Sequence, residues 1–243
     1  MKGLVLAGGK GTRISSITKG SNKCLLTIND RSIVSHNVKN LCALDEIDEC
    51  IVVVGYRADA IIRDLGLKCN NKKITYCVQK KQKGLINALE SAIENIQGND
   101  FFMVLGDEMI LKNHYQEAIK KFNSSKVSSL IGIILVDDIT NVKKTYTFKI
   151  DEEGNMTSFV EKPVHPFNNY MGTGNVIFRR DVLDLLAEVP VNPIRGEKEL
   201  VDLFNLILEK ERSIGSFVVG DAYFNINTIE DFEAMEATFL GIK

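Results

Sequence analysis

Three short apolar runs in this chain each stop at a glycine. They are Gly3 to Ala7 before Gly8-Gly9, Cys50 to Val54 before Gly55, and Phe101 to Leu105 before Gly106-Asp107. Runs without polar alternation suit strands buried on both faces. Such strands need helical layers above and below them. The intervening segments supply these: Ile33, Val34, Val38, Leu41 and Leu44 recur at helical spacing, 58–65 reads as a short helix, and Leu85, Ala88, Leu89, Ala92 and Ile96 form another apolar face. A strand over 74–78, a helix over 115–122 and a strand over 129–136 continue the alternation, which predicts an α/β layer structure with parallel strands.

After residue 136 the pattern changes. Segments 145–150 and 157–160 flank a turn at 151–155 and predict a β-hairpin. A strand over 173–178, helices over 181–186 and 200–209, and a strand over 217–220 follow, and Thr228 is placed to cap a last helix from Ile229. No repeat or linker interrupts the chain. The expectation is one compact domain over 1–243, the second half extending the sheet over one face.

Composition excludes several classes. Of 243 residues, 44% are hydrophobic and 26% charged, which is enough apolar surface to fold. The longest apolar run, Leu130 to Val136, is far below the roughly 18 residues of a membrane span. No secretory leader precedes the first strand, and five cysteines without a C-x-x-C pair read as buried or free thiols, so a reducing, cytoplasmic setting without membrane contact is expected. Thirty basic against 32 acidic residues leave a net charge of −2, so no nucleic-acid partner is expected. The sum hides an asymmetry: residues 1–29 carry Lys2, Lys10, Arg13, Lys19 and Lys23 with no acid, and residues 65–89 carry six lysines with no acid.

The segment Leu6-Ala7-Gly8-Gly9-Lys10-Gly11-Thr12-Arg13 follows the first strand. Its glycines let backbone N–H groups approach a phosphate, and Lys10 and Arg13 add charge; a plain strand-to-helix turn is the other reading. It matches neither the P-loop nor the dinucleotide fingerprint. Lys23 opens an apolar run that reads as another buried strand, and it suits either a second phosphate or solvent. Asp107, at a strand end, is a hard oxygen ligand suited to Mg²⁺ or a turn cap. Glu161-Lys162 offers a carboxylate for sugar hydroxyls and an ammonium for a phosphate, or a surface ion pair. His36, His114 and His165 form no metal pattern, and Cys24 reads as a buried strand residue.

Taken together, LAGGKGTR (6–13), Thr18, NKCLL (22–26), YCVQKKQKGLINAL (76–89), VLGD (104–107), VEKP (160–163), NNYMGTGNVIF (169–178) and RGEKEL (195–200) make the chain resemble the sugar-1-phosphate nucleotidylyltransferases, and within them the short-form glucose-1-phosphate thymidylyltransferases. The resemblance implies a Rossmann-like nucleotide-diphospho-sugar transferase fold, with a mixed, mostly parallel sheet flanked by helices and a hairpin extension. The nucleotide part would be about 1–136 and the sugar-phosphate part about 137–243. It also implies that an NTP (dTTP, or UTP) and a sugar 1-phosphate (glucose 1-phosphate or a variant) give an NDP-sugar and pyrophosphate, with Mg²⁺ as cofactor. Relatives form homodimers or tetramers, so a homo-oligomer is expected.

Carried over residue by residue, Leu6, Ala7, Gly8, Gly9, Gly11, Thr12 and Arg13 hold the ribose and triphosphate, and Gln79 and Gly84 read the base. Asp107 and Asn225 are the metal positions. Tyr146, Glu161, Lys162 and Asn175 face the sugar phosphate. The catalytic set is Arg13 on the departing pyrophosphate, Lys23 on the phosphates, Asp107 with its Mg²⁺, and Lys162 on the nucleophile. Sugar 1-phosphate is already an ionised nucleophile near neutral pH, so positioning and charge neutralisation suffice without a general base.

The sequence departs from the family pattern at three places. Asn225 and Asn227 stand where an Asp and a Gly are usual, which predicts weaker Mg²⁺ binding. The stretch near Tyr146 replaces an aromatic-Gly-Val segment against the sugar, which suggests a different or smaller acceptor. Ser16, Asn22 and Thr27 replace prolines and read as changes in loop stiffness. No hexapeptide repeat or C-terminal regulatory extension is seen, so the catalytic domain alone is expected. Two other readings remain: a cytidylyltransferase for a non-sugar phosphate such as phosphocholine, and a catalytically weak nucleotide-sugar-binding regulatory subunit, which Asn225 motivates.

Overall fold

The computed structural model describes residues 1–11, 14–18, 20–193 and 195–241, without the side chains of Ser15 and Ser16. In chain order the elements begin with β1 (Lys2–Ala7), α1 (Ser15–Thr18), β2 (Thr27–Ile28), β3 (Arg31–Ser32), α2 (Ile33–Cys42), β4 (Glu49–Val54), α3 (Ala58–Leu65), β5 (Lys68–Cys69) and β6 (Lys72–Val78). Then come α4 (Gly84–Glu90), α5 (Ile93–Ile96), β7 (Phe101–Leu105), β8 (Glu108–Leu111), α6 (Tyr115–Ser124) and β9 (Ser129–Leu135). The last part holds β10 (Tyr146–Ile150), β11 (Met156–Glu161), β12 (Tyr170–Phe178), α7 (Leu200–Glu209), β13 (Ile214–Val218), β14 (Ala222–Asn225) and α8 (Ile229–Leu240).

An eight-stranded sheet in the order β13-β9-β12-β7-β1-β4-β6-β5 forms the centre. β7, β1, β4 and β6 run parallel to one another, as do β9 and β13; β12 is antiparallel to both its neighbours, and β5 to β6. This is the mixed, mostly parallel sheet of a Rossmann-like α/β fold. The alternate residues of β1 show why its run lacks polar positions: Leu4 and Leu6 enter one core cluster with α4 and α7, while Val5 and Ala7 enter the other with α2 and α6. Among the described residues no helix is long and apolar enough to cross a membrane, and all five cysteines are free thiols, four of them buried.

Several elements match their sequence signals closely. α3, β7 and α7 keep the expected bounds within a residue, and the hairpin forms as β10 and β11. Thr228 caps α8 through a capping box with Asp231, whose carboxylate accepts from the Thr228 N–H at 2.9 Å.

Other elements differ, each for a local reason. Lys23–Leu25 is a 3₁₀ turn, not a strand, because the Asn22 carbonyl oxygen of the side chain accepts from Cys24 N at 2.9 Å and caps it. The expected helix over 85–96 breaks between α4 and α5, where the Ser91 hydroxyl bonds back to the Asn87 carbonyl at 2.9 Å. The strand expected at 217–220 lies at 214–218, in register with β9. The second half does more than extend the sheet over one face. Its hairpin packs with α7 on one side, but β12 is inserted between β7 and β9 in the middle of the sheet. The β12 register shifts between Gly172 and Val176, so Thr173, Gly174 and Asn175 bulge out of the ladder. The antiparallel pair β8–β14, with Asn225 opposite Glu108, is unforeseen in the sequence.

Candidate active site

The glycine loop leaves the carboxyl end of β1 between its parallel neighbours β4 and β7. Gly8 and Gly55 approach so closely that a Cβ on Gly55 would lie 2.6 Å from the Gly8 carbonyl oxygen. Gly11 has φ +60 and rests on the Lys23 stem, where a Cβ would meet Cγ at 2.9 Å. The loop is held by Asn22, whose Nδ2 donates to the carbonyls of Ala7 (3.1 Å), Gly9 (3.1 Å) and Tyr56 (2.9 Å). Proline at this position would offer none of these bonds. The reading of Asn22 as a change in loop stiffness is therefore replaced by a specific tie. Tyr56 Oη and Arg57 Nε both donate to the Gly20 carbonyl, at 2.8 and 2.9 Å, and close the far end. Leu6 and Ala7 are buried strand residues, and Gly9 is exposed. Thr12 and Arg13 lie outside the described residues.

Gln79 follows β6 and is 7% exposed. Its Nε2 donates to the Gly84 carbonyl at 3.1 Å and to Asn87 Oδ1 at 3.3 Å, while Oε1 lies 2.6 Å from where a Cβ on Gly8 would stand. The donor end is thus engaged within the protein and the acceptor end faces the glycine loop. Gln82 Nε2 donates to the Gly8 carbonyl at 3.0 Å. Gly84, with φ +82, opens α4 against the Glu197 side chain.

Asp107 follows β7, and its carboxylate pairs with the Lys23 ammonium, both side chains being largely buried. Lys23 Nζ also reaches the Ile226 carbonyl at 3.2 Å and Asn227 Oδ1 at 3.4 Å. Three oxygens therefore surround one cation. Asn225 ends β14 beside them, and its Oδ1 accepts from Asn227 Nδ2 at 2.7 Å. Ile226 N donates to the Asp107 carbonyl at 3.1 Å, tying the two segments together. Among the described residues no group of three or more His, Cys, Asp or Glu could hold a metal ion. The oxygen-only donor set of Asp107 and Asn225 fits a hard cation that brings most of its own ligands. Cys24, next to Lys23, is buried, and burial pushes its thiol far up, consistent with an unreactive core residue.

Beneath Asp107 lies a polar cluster that the sequence reading did not find. Glu108 is 3% exposed and accepts from Tyr223 Oη (2.7 Å), Asn175 Nδ2 (2.8 Å) and Gly174 N (3.1 Å). Burial pushes its carboxyl up to about 8 despite the Tyr223 hydrogen bond. Tyr115 Oη donates to Asn175 Oδ1 at 2.6 Å, and Asn37 Nδ2 of α2 ties the carbonyls of Leu105 and Glu108 on either side of the turn, at 3.1 and 2.8 Å. Asn175, expected to face the sugar, is buried at 1% exposure with its amide bonded to Glu108, Tyr115 and Thr173. The β12 bulge turns it inward toward Glu108, so its side chain is part of this support.

Tyr146, also expected at the sugar, is likewise buried. Its ring packs with Phe159 and Phe204 and occupies the space where a Cβ on Gly172 would stand, and its hydroxyl donates to the Thr173 carbonyl at 2.8 Å. Glu161 pairs with Tyr146 across the hairpin, and Lys162 leaves β11 exposed with φ +45. Arg195 Nη1 bridges Glu161 (3.4 Å) and Glu199 (2.9 Å). Burial and Glu199 push the Glu161 carboxyl up, and Arg195 opposes them. Loop 195–199 touches both sides of the molecule: Arg195 meets Glu161, Glu197 meets Gly84, and Lys198 Nζ donates to Glu90 at 3.1 Å. The RGEKEL segment marked this loop in the sequence, but its charges gave no sign of which partners they would find.

Residues 2–239 match the family model described as nucleotidyl transferase. The low-salt glycan biosynthesis nucleotidyltransferase Agl11 of Haloferax volcanii is 31% identical over 245 residues, covering 100% of this chain and 66% of that protein. The UTP–glucose-1-phosphate uridylyltransferase AglF of the same organism is 28% identical, covering 97% of this chain and 95% of that one. The chain thus spans about two thirds of the length of Agl11 and nearly all of AglF. A solved chain described as a glucose-1-phosphate thymidylyltransferase from Bacillus anthracis, in complex with sucrose, superposes with a TM-score of 0.86 at 24% identity, covering 98% of this chain and 94% of its own. At that identity the likeness is one of fold. With the family match running almost from end to end of a Rossmann-like sheet, the chain belongs to the nucleotidyl transferase family.

Proposed function

We propose that the chain transfers a nucleotidyl group from dTTP or UTP to glucose 1-phosphate or a close variant, giving an NDP-sugar and pyrophosphate. The observation that carries this reading is the placement of the Lys23–Asp107 pair directly against Gly11, so that a cation, a carboxylate and a backbone phosphate cradle share one corner. In the step, a phosphate oxygen of the sugar 1-phosphate bonds to the α-phosphorus while the bond from that phosphorus to the pyrophosphate oxygen breaks. Lys162 holds the attacking phosphate, and Glu161, oriented by Arg195, takes sugar hydroxyls. Lys23 and the glycine-loop N–H groups hold the nucleotide phosphates, and Arg13 neutralises the departing pyrophosphate. Asp107 and Asn225 would hold Mg²⁺, which when bound neutralises phosphate charge. Tyr146 and Asn175 act by supporting these groups from beneath.

The acceptor end of Gln79 favours a base with an N–H between two carbonyls, as in thymine and uracil, over cytosine. Pyrophosphate release with dTTP, UTP, CTP, GTP and ATP against glucose 1-phosphate, other sugar 1-phosphates and phosphocholine tests the proposal. We expect dTTP or UTP with a hexose 1-phosphate to lead in kcat/KM by at least ~10-fold over CTP, the scale of one net hydrogen bond. CTP with phosphocholine leading would replace this reading by the cytidylyltransferase one. No release with any pair would leave a nucleotide-sugar-binding subunit.

A further inference from the structure

Gln79 is the end of a chain of hydrogen bonds in which every link has a fixed polarity. Its Nε2 donates to the Gly84 carbonyl and to Asn87 Oδ1. Asn87 Nδ2 in turn donates to Glu90 Oε2 at 3.3 Å, and the other Glu90 oxygen accepts from Lys198 Nζ at 3.1 Å. Lys198 is anchored by a further bond to the Leu186 carbonyl at 2.7 Å. An ammonium only donates and a carboxylate only accepts. Asn87 must therefore turn its NH₂ to Glu90 and its oxygen to Gln79. Gln79 must then turn its NH₂ inward and its oxygen toward Gly8. A reversed Gln79 would set its oxygen against two acceptors, the Gly84 carbonyl and Asn87 Oδ1.

We infer that Asn87, Glu90 and Lys198 are positioning residues that select the nucleotide base by locking Gln79 with its acceptor outward. An outward oxygen accepts the N3–H of thymine or uracil. Cytosine offers an acceptor at that position and meets repulsion. The lock begins outside the nucleotide half: Lys198 belongs to the same loop whose Arg195 reaches Glu161. Lys198 thus anchors, from the sugar-phosphate side, the carboxylate that sets the polarity of the chain. The inference rests on the reading that Gln79 faces the base.

The test is the ratio of kcat/KM for the better of dTTP and UTP to that for CTP, each with glucose 1-phosphate. In Asn87→Leu the ratio should fall by about fivefold or more, the effect of losing one orienting hydrogen bond while the Gly84 carbonyl remains. In Asn87→Asp, which keeps an acceptor toward Gln79, it should stay within about twofold of the unaltered chain. Glu90→Gln, which lets Asn87 turn, should lower the ratio and serves if the leucine variant does not fold. A role confined to packing would lower kcat/KM equally for every nucleotide; an unchanged ratio in both Asn87→Leu and Glu90→Gln overturns the inference and leaves the proposed function standing. An unaltered chain without preference for dTTP or UTP overturns both.

Discussion

Three residues show how far a side chain's chemistry can be read before its neighbours are known. Asn225 was legible as a missing carboxylate, and the structure puts it where Lys23 already gathers Asp107, Ile226 and Asn227 oxygens. Adding a charge there by Asn225→Asp should lower the Mg²⁺ concentration for half-maximal activity by about tenfold, as a second carboxylate charge joins the first; a Mg²⁺ titration of turnover measures it. Asn22 was legible only as a missing proline, because the three carbonyls it ties come from Ala7, Gly9 and Tyr56. Gly172 was legible only as one letter of a motif, with no sign of what it packs against. A Cβ there would stand inside the Tyr146 ring, so Gly172→Ala should destabilise the fold by about 2–3 kcal/mol in denaturant unfolding. Replacing Tyr146 by Leu in the same chain should recover part of the loss.

At the scale of elements, charge joins strands that the apolar pattern only lists. Glu49 of β4 lies between Lys2 of β1 (2.8 Å) and Lys73 of β6 (3.3 Å), and the Thr75 hydroxyl donates to it. Burial pushes its carboxyl up, but Lys2, Thr75 and Lys73 outweigh that and hold it at about 2. A depressed carboxyl stabilises the fold above its ordinary titration range, and that stability is lost as pH falls toward about 2. Glu49→Gln should therefore cost about 1–2 kcal/mol at pH 7, discounted for the exposed Lys73, with the difference from the unaltered chain vanishing near pH 2. Urea unfolding at several pH values checks this. Lys72 and Lys73, two of the six lysines in the acid-free stretch 65–89, are thus tied down: Lys72 donates to the Leu44 carbonyl and Lys73 pairs with Glu49. The start of α8 was readable at Thr228, whereas the equally local Asn22 cap was hidden because the apolar residues after it looked like a strand.

Across the whole molecule, β12 decides the architecture. It crosses from the second half into the space between β7 and β9, carrying Gly174 and Asn175 to Glu108 under the Asp107 turn. Hydrogen exchange should reflect this. Amides of β1, β7 and β12, enclosed on both sides in the sheet, should exchange slowest, and those of the edge strands β5 and β13 should open first. Exchange followed by peptide mass spectrometry reads the order directly.

By itself the sequence determined the layered α/β class, most strand and helix positions in the first half, the hairpin, the α8 cap and the placing of the glycines and Asp107 at strand ends. All of these follow from periodicity and from residue chemistry within a few positions along the chain. Only the tertiary structure decided the insertion of β12, the β8–β14 pair, the inward turn of Tyr146 and Asn175, and the chain of bonds from Lys198 to Gln79. Each of these depends at some link on contacts between residues far apart in sequence, as from Lys198 to Glu90, where a polar side chain's role is set by which donor or acceptor the fold brings within hydrogen-bond distance.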